Sequence, residues 1–337
     1  MNPLVLAGLI DDTLDSTATG TPGRPVSPVS VIPDAMLVLG IKVNADELIG
    51  VATDLRTRTL QTLRAPLTST DPTVVMEGII DLCDRLERLL GGLATRVACI
   101  GVSVSGDVDP QTGVVRESAL LGWRGVALGT ELGQRLGSRV TVENDVRALT
   151  IGEHWFGVGL GTSSFAIVTI GRGIGSGLHI NGEVVEGAYG VAGEIGHLPL
   201  ASPDRQCSCG RWGCAEAVAG TDAIVAAVSA AHGRTLSIDE IAALGRAGDP
   251  AAVHAFSEAG SVIGIAIASL VNLVGPEVVI IGGEAVTNFD LFEHSLRSAY
   301  DQHVFGSADR CRIVVRPHTF EDWARGAAAT AIRALVV

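Results

Sequence analysis

Residues 165–197 read FAIVTIGRGIGSGLHINGEVVEGAYGVAGEIGH, and this stretch decides the fold. Phe165 to Ile170 is a short apolar run that reads as a strand. It delivers the chain into a glycine loop, Gly171 to Gly177. A hairpin turned by Asn181 and Gly182 follows, the dipeptide best suited to two positive φ angles. The stretch closes on Gly193, Glu194, Ile195, Gly196 and His197.

Upstream lies a similar half. Met36 to Ile41 and Leu48 to Ala52 read as strands joined tightly through Asn44, Ala45 and Asp46. Val74 to Leu90 carries a helical stripe at Val75, Ile79, Leu82, Leu86 and Leu89, stopped by Gly91 and Gly92. Val97 to Val104 is a buried strand leading into Ser105, Gly106 and Asp107. After a helix near Thr130 to Leu136, the strand Arg139 to Val142 runs into Glu143, Asn144 and Asp145, which open another helix. Downstream, helices dominate from Thr221 to Leu273, Val278 to Ile281 is a buried strand ending in Gly282 and Gly283, and Trp323 to Leu335 is a closing helix. Alternation of this kind is α/β construction. The expectation is two lobes with a cleft between them: residues 33–145, joined by a helix over 322–337, and residues 146–321, which hold the clustered cysteines.

At 337 residues the chain is long enough for two ordinary domains with well-buried cores. A net charge of -13, with Lys42 the only lysine, argues against an extended nucleic-acid surface, because phosphate binding relies on clustered cations. The N-terminus lacks the pattern of a secretory signal, and no apolar run in the sequence reads as long enough to cross a bilayer. A cytoplasmic location without membrane contact is expected. In a reducing compartment six cysteines are poor evidence for disulfides. Cys83, Cys99 and Cys311 sit singly and read as core or inert residues.

Cys207, Cys209 and Cys214 lie within CSCGRWGC, where Gly210 and Gly213 let the chain fold back, and His197 is ten residues upstream. Three thiolates and an imidazole are the donors zinc prefers, and such a set leaves no open position for a catalytic water. A structural Zn2+ site is predicted. Free buried thiols are the competing explanation, and a redox motif lacks its CxxC spacing.

Glu143, Asn144 and Asp145 sit at a strand-to-helix junction. An Asp there can draw a proton from a substrate hydroxyl, although Asn and Asp are also ordinary helix caps. Glu194, His197 and Glu216 add carboxylates and an imidazole, which suit a polyhydroxylated ligand. His197 can bind metal through one ring nitrogen and offer the other to that ligand.

These residues resemble the ROK group of repressors, open reading frames and sugar kinases. The resemblance is carried by VENDVRAL with EHWFG, by residues 171–197, by CSCGRWGCAE and by VIIGGE, and spans roughly residues 23–337. It implies an actin-like ATPase fold of two lobes with ribonuclease H-like sheets, an interlobe sugar-binding cleft, and a homodimer or homotetramer. Carried onto matching positions, it places sugar contacts on Asn144, Asp145, Glu194, His197 and Glu216, the catalytic base of a kinase on Asp145, and the metal on His197, Cys207, Cys209 and Cys214.

The ATP side departs from the pattern. Kinases of the group open with a DxGGT turn, whereas GIKVNADEL has Lys42 in place of Asp and Asn44, Ala45 and Asp46 in place of Gly, Gly and Thr. GRGIGSG keeps Gly173 and Gly175 but has Arg172 where Thr is common, and Gly282 and Gly283 match the adenosine segment only loosely. Poor ATP binding is expected.

Residues 1–32 resemble the tail of a winged-helix domain: Ala7, Gly8, Leu9 and Ile10, then a Ser, Thr, Gly and Pro-rich stretch, then Gly23, Arg24 and Pro25, ahead of Pro33, Asp34 and Ala35. No helix-turn-helix lies upstream in this sequence, so DNA contact requires such an element ahead of Met1. A late-placed start and a natural truncation both fit. The function expected is that of a sugar-responsive transcriptional regulator, sensing a hexose or amino sugar. The alternative is an ATP- and Mg2+-dependent sugar kinase acting on a hexose or N-acetylhexosamine.

Overall fold

The computed structural model describes residues 8–11 and 29–336. They form two compact units, one running to Glu143 and taking in the chain from Ala324, the other Asn144–Trp323. Of the expected winged-helix tail, Ala7, Gly23, Arg24 and Pro25 lie outside the described residues. Within them, β1 (Ile10–Asp11) pairs antiparallel with β2 (Ser30–Val31).

The first unit is built on a five-stranded sheet of order β10-β6-β3-β4-β5. Its strands are β3 (Leu37–Val43), β4 (Glu47–Asp54), β5 (Thr59–Pro66), β6 (Val97–Val104) and β10 (Arg139–Asn144). β3, β4 and β5 form an antiparallel meander, while β6 lies parallel to β3. Helix α1 (Pro72–Leu90) crosses from β5 to β6, starting on the Asp71 cap and stopping at Gly91, whose φ is 57°. A small sheet of β7 (Asp107–Asp109), β8 (Val114–Ser118) and β9 (Trp123–Val126) precedes α2 (Leu128–Leu136).

The apolar stripe of α1 is corrected at one position: Leu90 is buried and Leu89 is exposed. Leu90 continues the i, i+4 row of Leu82 and Leu86, whereas Leu89 is turned away from it.

On this sheet Gly40 and Gly101 are cross-strand partners. A side chain at Gly40 would strike the Ala324 carbonyl, and one at Gly101 the Ala327 carbonyl. These glycines and the run ARGAAATA let the closing helix, Phe320–Val336, lay its backbone against the sheet.

The second unit begins with α3 (Asp145–Phe156) and has a sheet of order β13-β12-β11-β14-β15. The strands are β11 (Phe165–Ile170), β12 (Ile174–Ile180), β13 (Glu183–Val184), β14 (Val278–Gly282) and β15 (Arg312–Val315). β11 and β14 are buried at every residue. One face meets a core that includes Phe256, Ile263, Ile267 and Phe292, and the other meets Leu149 and Trp323. Burial on both faces is why these strands read as unbroken apolar runs.

The remaining helices are α4 (Glu216–Ala219), α5 (Thr221–His232), α6 (Ile238–Arg246), α7 (Pro250–Val274), α8 (Phe289–His303) and α9 (Phe320–Val336). The expectation that no apolar run is of membrane-spanning length is corrected by α7: its 25 residues are long and apolar enough. Their apolarity has a local cause, since α7 buries Phe256, Ile263, Ile267 and Val271 in the core and pairs extensively with α8.

The expected loop Gly171 to Gly177 is also corrected. Only residues 171–173 form the turn, with Ile170 opposite Ile174, and Gly175 and Gly177 lie inside β12 opposite Thr169 and Ile167. They are glycines because α3 packs there: a Cβ at Gly175 would come within 2.8 Å of Val146 Cγ2, and one at Gly177 would strike Thr150 Oγ1.

Candidate functional site

The strand β10 ends where α3 begins. Asn144 caps the helix, its Oδ1 accepting from the Arg147 N–H at 3.1 Å, and Asp145 Oδ1 accepts from the Val146 N–H at 2.9 Å. The capping role weighed for Asn144 is therefore present. The Arg147 side chain is buried, and its Nη1 donates to the Gly190 carbonyl at 2.6 Å, tying the glycine-rich segment 187–193 to α3.

That segment leads into Gly193, whose φ of 91° carries the chain against Ser176. Ser176 Oγ donates to the Gly193 carbonyl at 2.5 Å. Glu194 follows, and Ile195–His197 form one 3-10 turn. The Ala215 N–H donates to the Leu198 carbonyl at 2.9 Å, so the end of the cysteine segment is fastened beside His197.

The cysteine segment is a small knuckle. Gln206 and Trp212 form an antiparallel bridge, the Cys207 N–H donates to the Arg211 carbonyl at 2.8 Å, and Gly210 and Gly213 have φ of 84° and 75°. Those left-handed positions need glycine and bring the thiols together. The ligand atoms of His197, Cys207, Cys209 and Cys214 all lie within 4.8 Å of one another. Cys209 Sγ is 3.8 Å from Cys214 Sγ, and His197 Nδ1 is 3.8 Å from Cys207 Sγ. A tetrahedral zinc with bonds of about 2.3 Å to sulfur separates its ligands by about 3.8 Å, so the donor set fits a four-coordinate metal in both chemistry and spacing. Burial pushes the Cys207 thiol up to about 12 and raises Cys214 as well, the form a bound dication would reverse.

His197 turns its two nitrogens in different directions. Nδ1 faces the thiols, while Nε2 lies 3.8 Å from Glu194 Oε2. Burial raises the Glu194 carboxyl above its ordinary range; His197 pulls it back, and Asp145 and Glu216 push it further up. Its side chain keeps 49% of its exposure, so the carboxylate is open to a ligand from solvent. Asp145, Arg147, Glu194, His197 and Glu216 thus form one electrostatic neighbourhood within the second unit. Glu216, opening α4, is a joint. Its Oε2 accepts from the Ile174 N–H at 3.0 Å, and its Oε1 lies 3.2 Å from Ser208 Oγ and 3.6 Å from Cys207 Sγ.

Gly282 and Gly283, at the end of β14, reach the Gly171–Gly173 turn because β14 runs parallel to β11 with Thr169 opposite Gly282. Glu284 follows, and its Oε1 accepts from the Arg172 N–H at 2.9 Å. Arg172 extends instead to Asp222 Oδ2, 3.3 Å away. Lys42, Asn44, Ala45 and Asp46 belong to the first unit. There Lys42 is buried, and the Asn44 N–H closes the turn on the Glu47 carbonyl at 3.0 Å.

Sequence reasoning missed Arg147, Ser208, Asp222 and Glu284. Arg147 sits three residues after Asn144, but its partner Gly190 is 43 residues away. Glu284 lies in VIIGGE, yet its role depends on strand register.

Residues 38–334 match the ROK family. The xylose repressor of Caldicellulosiruptor bescii is 30% identical over 240 residues, 67% of this chain and 60% of that protein. This chain therefore spans less than two thirds of that relative. A crystal structure of a ROK family transcriptional regulator, a homolog of the E. coli MLC protein, superposes with a TM-score of 0.82 at 26% identity, covering 98% of this chain and 86% of that one. A ROK family glucokinase from Streptomyces griseus, in complex with glucose and AMPPNP, gives 0.70 at 26% identity, covering 87% and 98%. The fold is the actin-like ATPase α/β fold of these structures.

Proposed function

The chain belongs to the ROK family, and from that premise we propose that it is the sugar-sensing body of a transcriptional regulator, binding a hexose or amino sugar without phosphorylating it. Homologues of both kinds exist, repressors and glucokinases, so the choice rests on this chain's own residues.

The observation that carries the proposal is a contrast. The second unit gathers Asp145, Glu194 and His197 into one neighbourhood suited to sugar hydroxyls, with the Glu216 carboxylate beside them bound to the Ile174 N–H, while the first phosphate turn lacks its chemistry. Lys42 is a buried lysine where the resemblance expects the carboxylate that helps hold magnesium. Asn44, Ala45 and Asp46 all have negative φ, since the only non-glycine residues with positive φ among the described ones are Thr57 and Asn181. A turn with three side chains and no left-handed residue does not offer the close backbone approach that glycines allow.

In this account Asp145 and Glu194 accept from sugar hydroxyls, Asn144 contributes its amide donors, and His197 Nε2 completes the set. Zinc on His197, Cys207, Cys209 and Cys214 supplies structural order, fixing the knuckle and the imidazole plane. Coverage gives further support. The regulator structure aligns with 98% of this chain against 87% for the glucokinase, and the difference is comparable to the stretch that precedes residue 38. The β1–β2 pair lies in that stretch and fits the base of a wing. DNA contact would belong to an N-terminal element, with sugar acting through unequal affinity for two conformations. A cytoplasmic location and a homo-oligomeric state accompany the proposal.

The alternative, a sugar kinase, rests on Asp145 standing at the start of α3 as a general base. A coupled assay with MgATP and a sugar panel separates the two. The regulator account expects binding without turnover, and turnover lost in Asp145→Asn would establish the kinase.

A further inference from the structure

The hairpin turn between β11 and β12 has the form of an anion site that is already filled. One of its N–H groups, and that of the first residue of β12, end on carboxylates brought from elsewhere: Arg172 N–H on Glu284 Oε1 at 2.9 Å, and Ile174 N–H on Glu216 Oε2 at 3.0 Å. The contact is close enough that a side chain at Gly171 would strike the Glu284 carboxylate, and a Cβ at Gly173 would lie 2.7 Å from Glu216 Oε2. Backbone N–H groups exposed at a glycine turn attract anions, phosphates among them.

The placement of Glu284 follows from the sheet. With Thr169 opposite Gly282, the chain leaves β14 beside the turn. Gly283, at φ 95°, packs against the Ile170 carbonyl where no Cβ fits, and this bend sets Glu284 over Gly171 and Arg172. Arg172, a cation that could greet an incoming phosphate, is held by Asp222 at 3.3 Å. The Thr221 N–H fastens α5 to the Gly171 carbonyl at 2.8 Å. Behind the turn, the cavity between Ile170, Thr221, Ile224, Ala285 and Asn288 has room for about one water, not for a ring.

We infer that Glu284 is a specificity-determining residue: its carboxylate occupies the anion position of the Gly171–Gly173 turn and excludes phosphate groups. The inference rests on the regulator proposal, for which it supplies a second barrier to nucleotide binding, independent of Lys42. A phosphate entering the turn must displace one carboxylate and approach another. An unoccupied turn would offer the same N–H groups to an external anion.

The test is calorimetric titration of inorganic pyrophosphate into wild-type protein, Glu284→Ala, Glu284→Gln and the control Glu183→Gln. Glu183 lies in the hairpin at the far end of β12, so its variant removes an equal charge away from the turn. Glu284→Ala should bind pyrophosphate at least tenfold more tightly than wild type, Glu284→Gln should gain less because its amide still fills the space, and Glu183→Gln should gain nothing. If the alanine variant does not fold, the glutamine variant decides by the same comparison. Folded variants that bind no better than wild type, or an equal gain in Glu183→Gln, overturn the inference. Sugar phosphorylation by the wild-type protein would instead defeat the regulator proposal, so the two failures are separable.

Discussion

His197 sets its Nε2 3.8 Å from the carboxylate of Glu194 while its Nδ1 stands 3.8 Å from Cys207 Sγ. One imidazole is thus shared between the donor cluster and the carboxylate of Glu194. A metal that fixes Nδ1 also fixes the direction in which Nε2 points, as when outer contacts orient a metal-bound histidine.

Removal of the metal should therefore weaken sugar binding before the fold is lost. Calorimetry with hexoses and amino sugars, on zinc-loaded and chelator-treated protein, should show a loss on the order of tenfold or more. Far-ultraviolet dichroism should change little, because both five-stranded sheets lie outside the knuckle. Equal affinity in the two forms would contradict the coupling.

Arg147 predicts a positioning effect. Its Nη1 holds the Gly190 carbonyl at 2.6 Å, and residues 187–193 lead directly into Glu194. Arg147→Ala should raise amide exchange across 187–193 and weaken sugar binding several-fold. Protection there equal to wild type would show that Arg147 does not order the segment.

Much of this architecture was legible in sequence, for local reasons. Phe165–Ile170 announced itself because both faces of β11 are buried, and the Asn181–Gly182 turn because its φ values of 53° and 87° suit few other pairs. The donor cluster was legible because three of its members fall within eight residues. β5 was not: TLQTLRAP is an edge strand with only Ala65 buried, so it has no apolar signature. Gly175 and Gly177 read as loop because glycine has the same letter whether it serves a turn or yields to a helix, and only the packing of α3 tells the two apart. Glu284 and Arg147 act over 112 and 43 residues of chain, separations that no spacing rule reaches.

Gly177 makes the packing testable. A methyl group there would strike Thr150 Oγ1 and lie 3.1 Å from the Val146 carbonyl, which forces α3 away from β12. Gly177→Ala should cost about 1–3 kcal/mol in urea denaturation, as overpacking does, and should weaken sugar binding because Asn144 and Asp145 ride on the start of α3. Unchanged stability would mean that α3 does not need this glycine.

Glu153 predicts acid sensitivity in the second unit. Burial alone would raise its carboxyl, but His318 at 3.0 Å, the Val158 N–H at 2.7 Å and Arg316 at 2.8 Å outweigh burial and hold it below the ordinary range. A carboxyl lowered in the folded state stabilises above its unfolded pKa, about 4.3, and that contribution is lost as pH falls through the folded value. Glu153→Ala should cost about 3 kcal/mol near pH 7 by leaving buried partners unpaired, and should flatten the fall in stability below about pH 4. An acid limb as steep as wild type would place the titrating group elsewhere.

The central claim, sugar binding without phosphoryl transfer, is tested most directly by injecting each member of a panel of hexoses and amino sugars into the zinc-loaded protein in the presence of MgATP and following heat flow. The account predicts, for at least one of these sugars, a saturable binding signal that returns to baseline after each injection. Sustained heat flow from continuous turnover, or no saturable signal with any of these sugars, would contradict it.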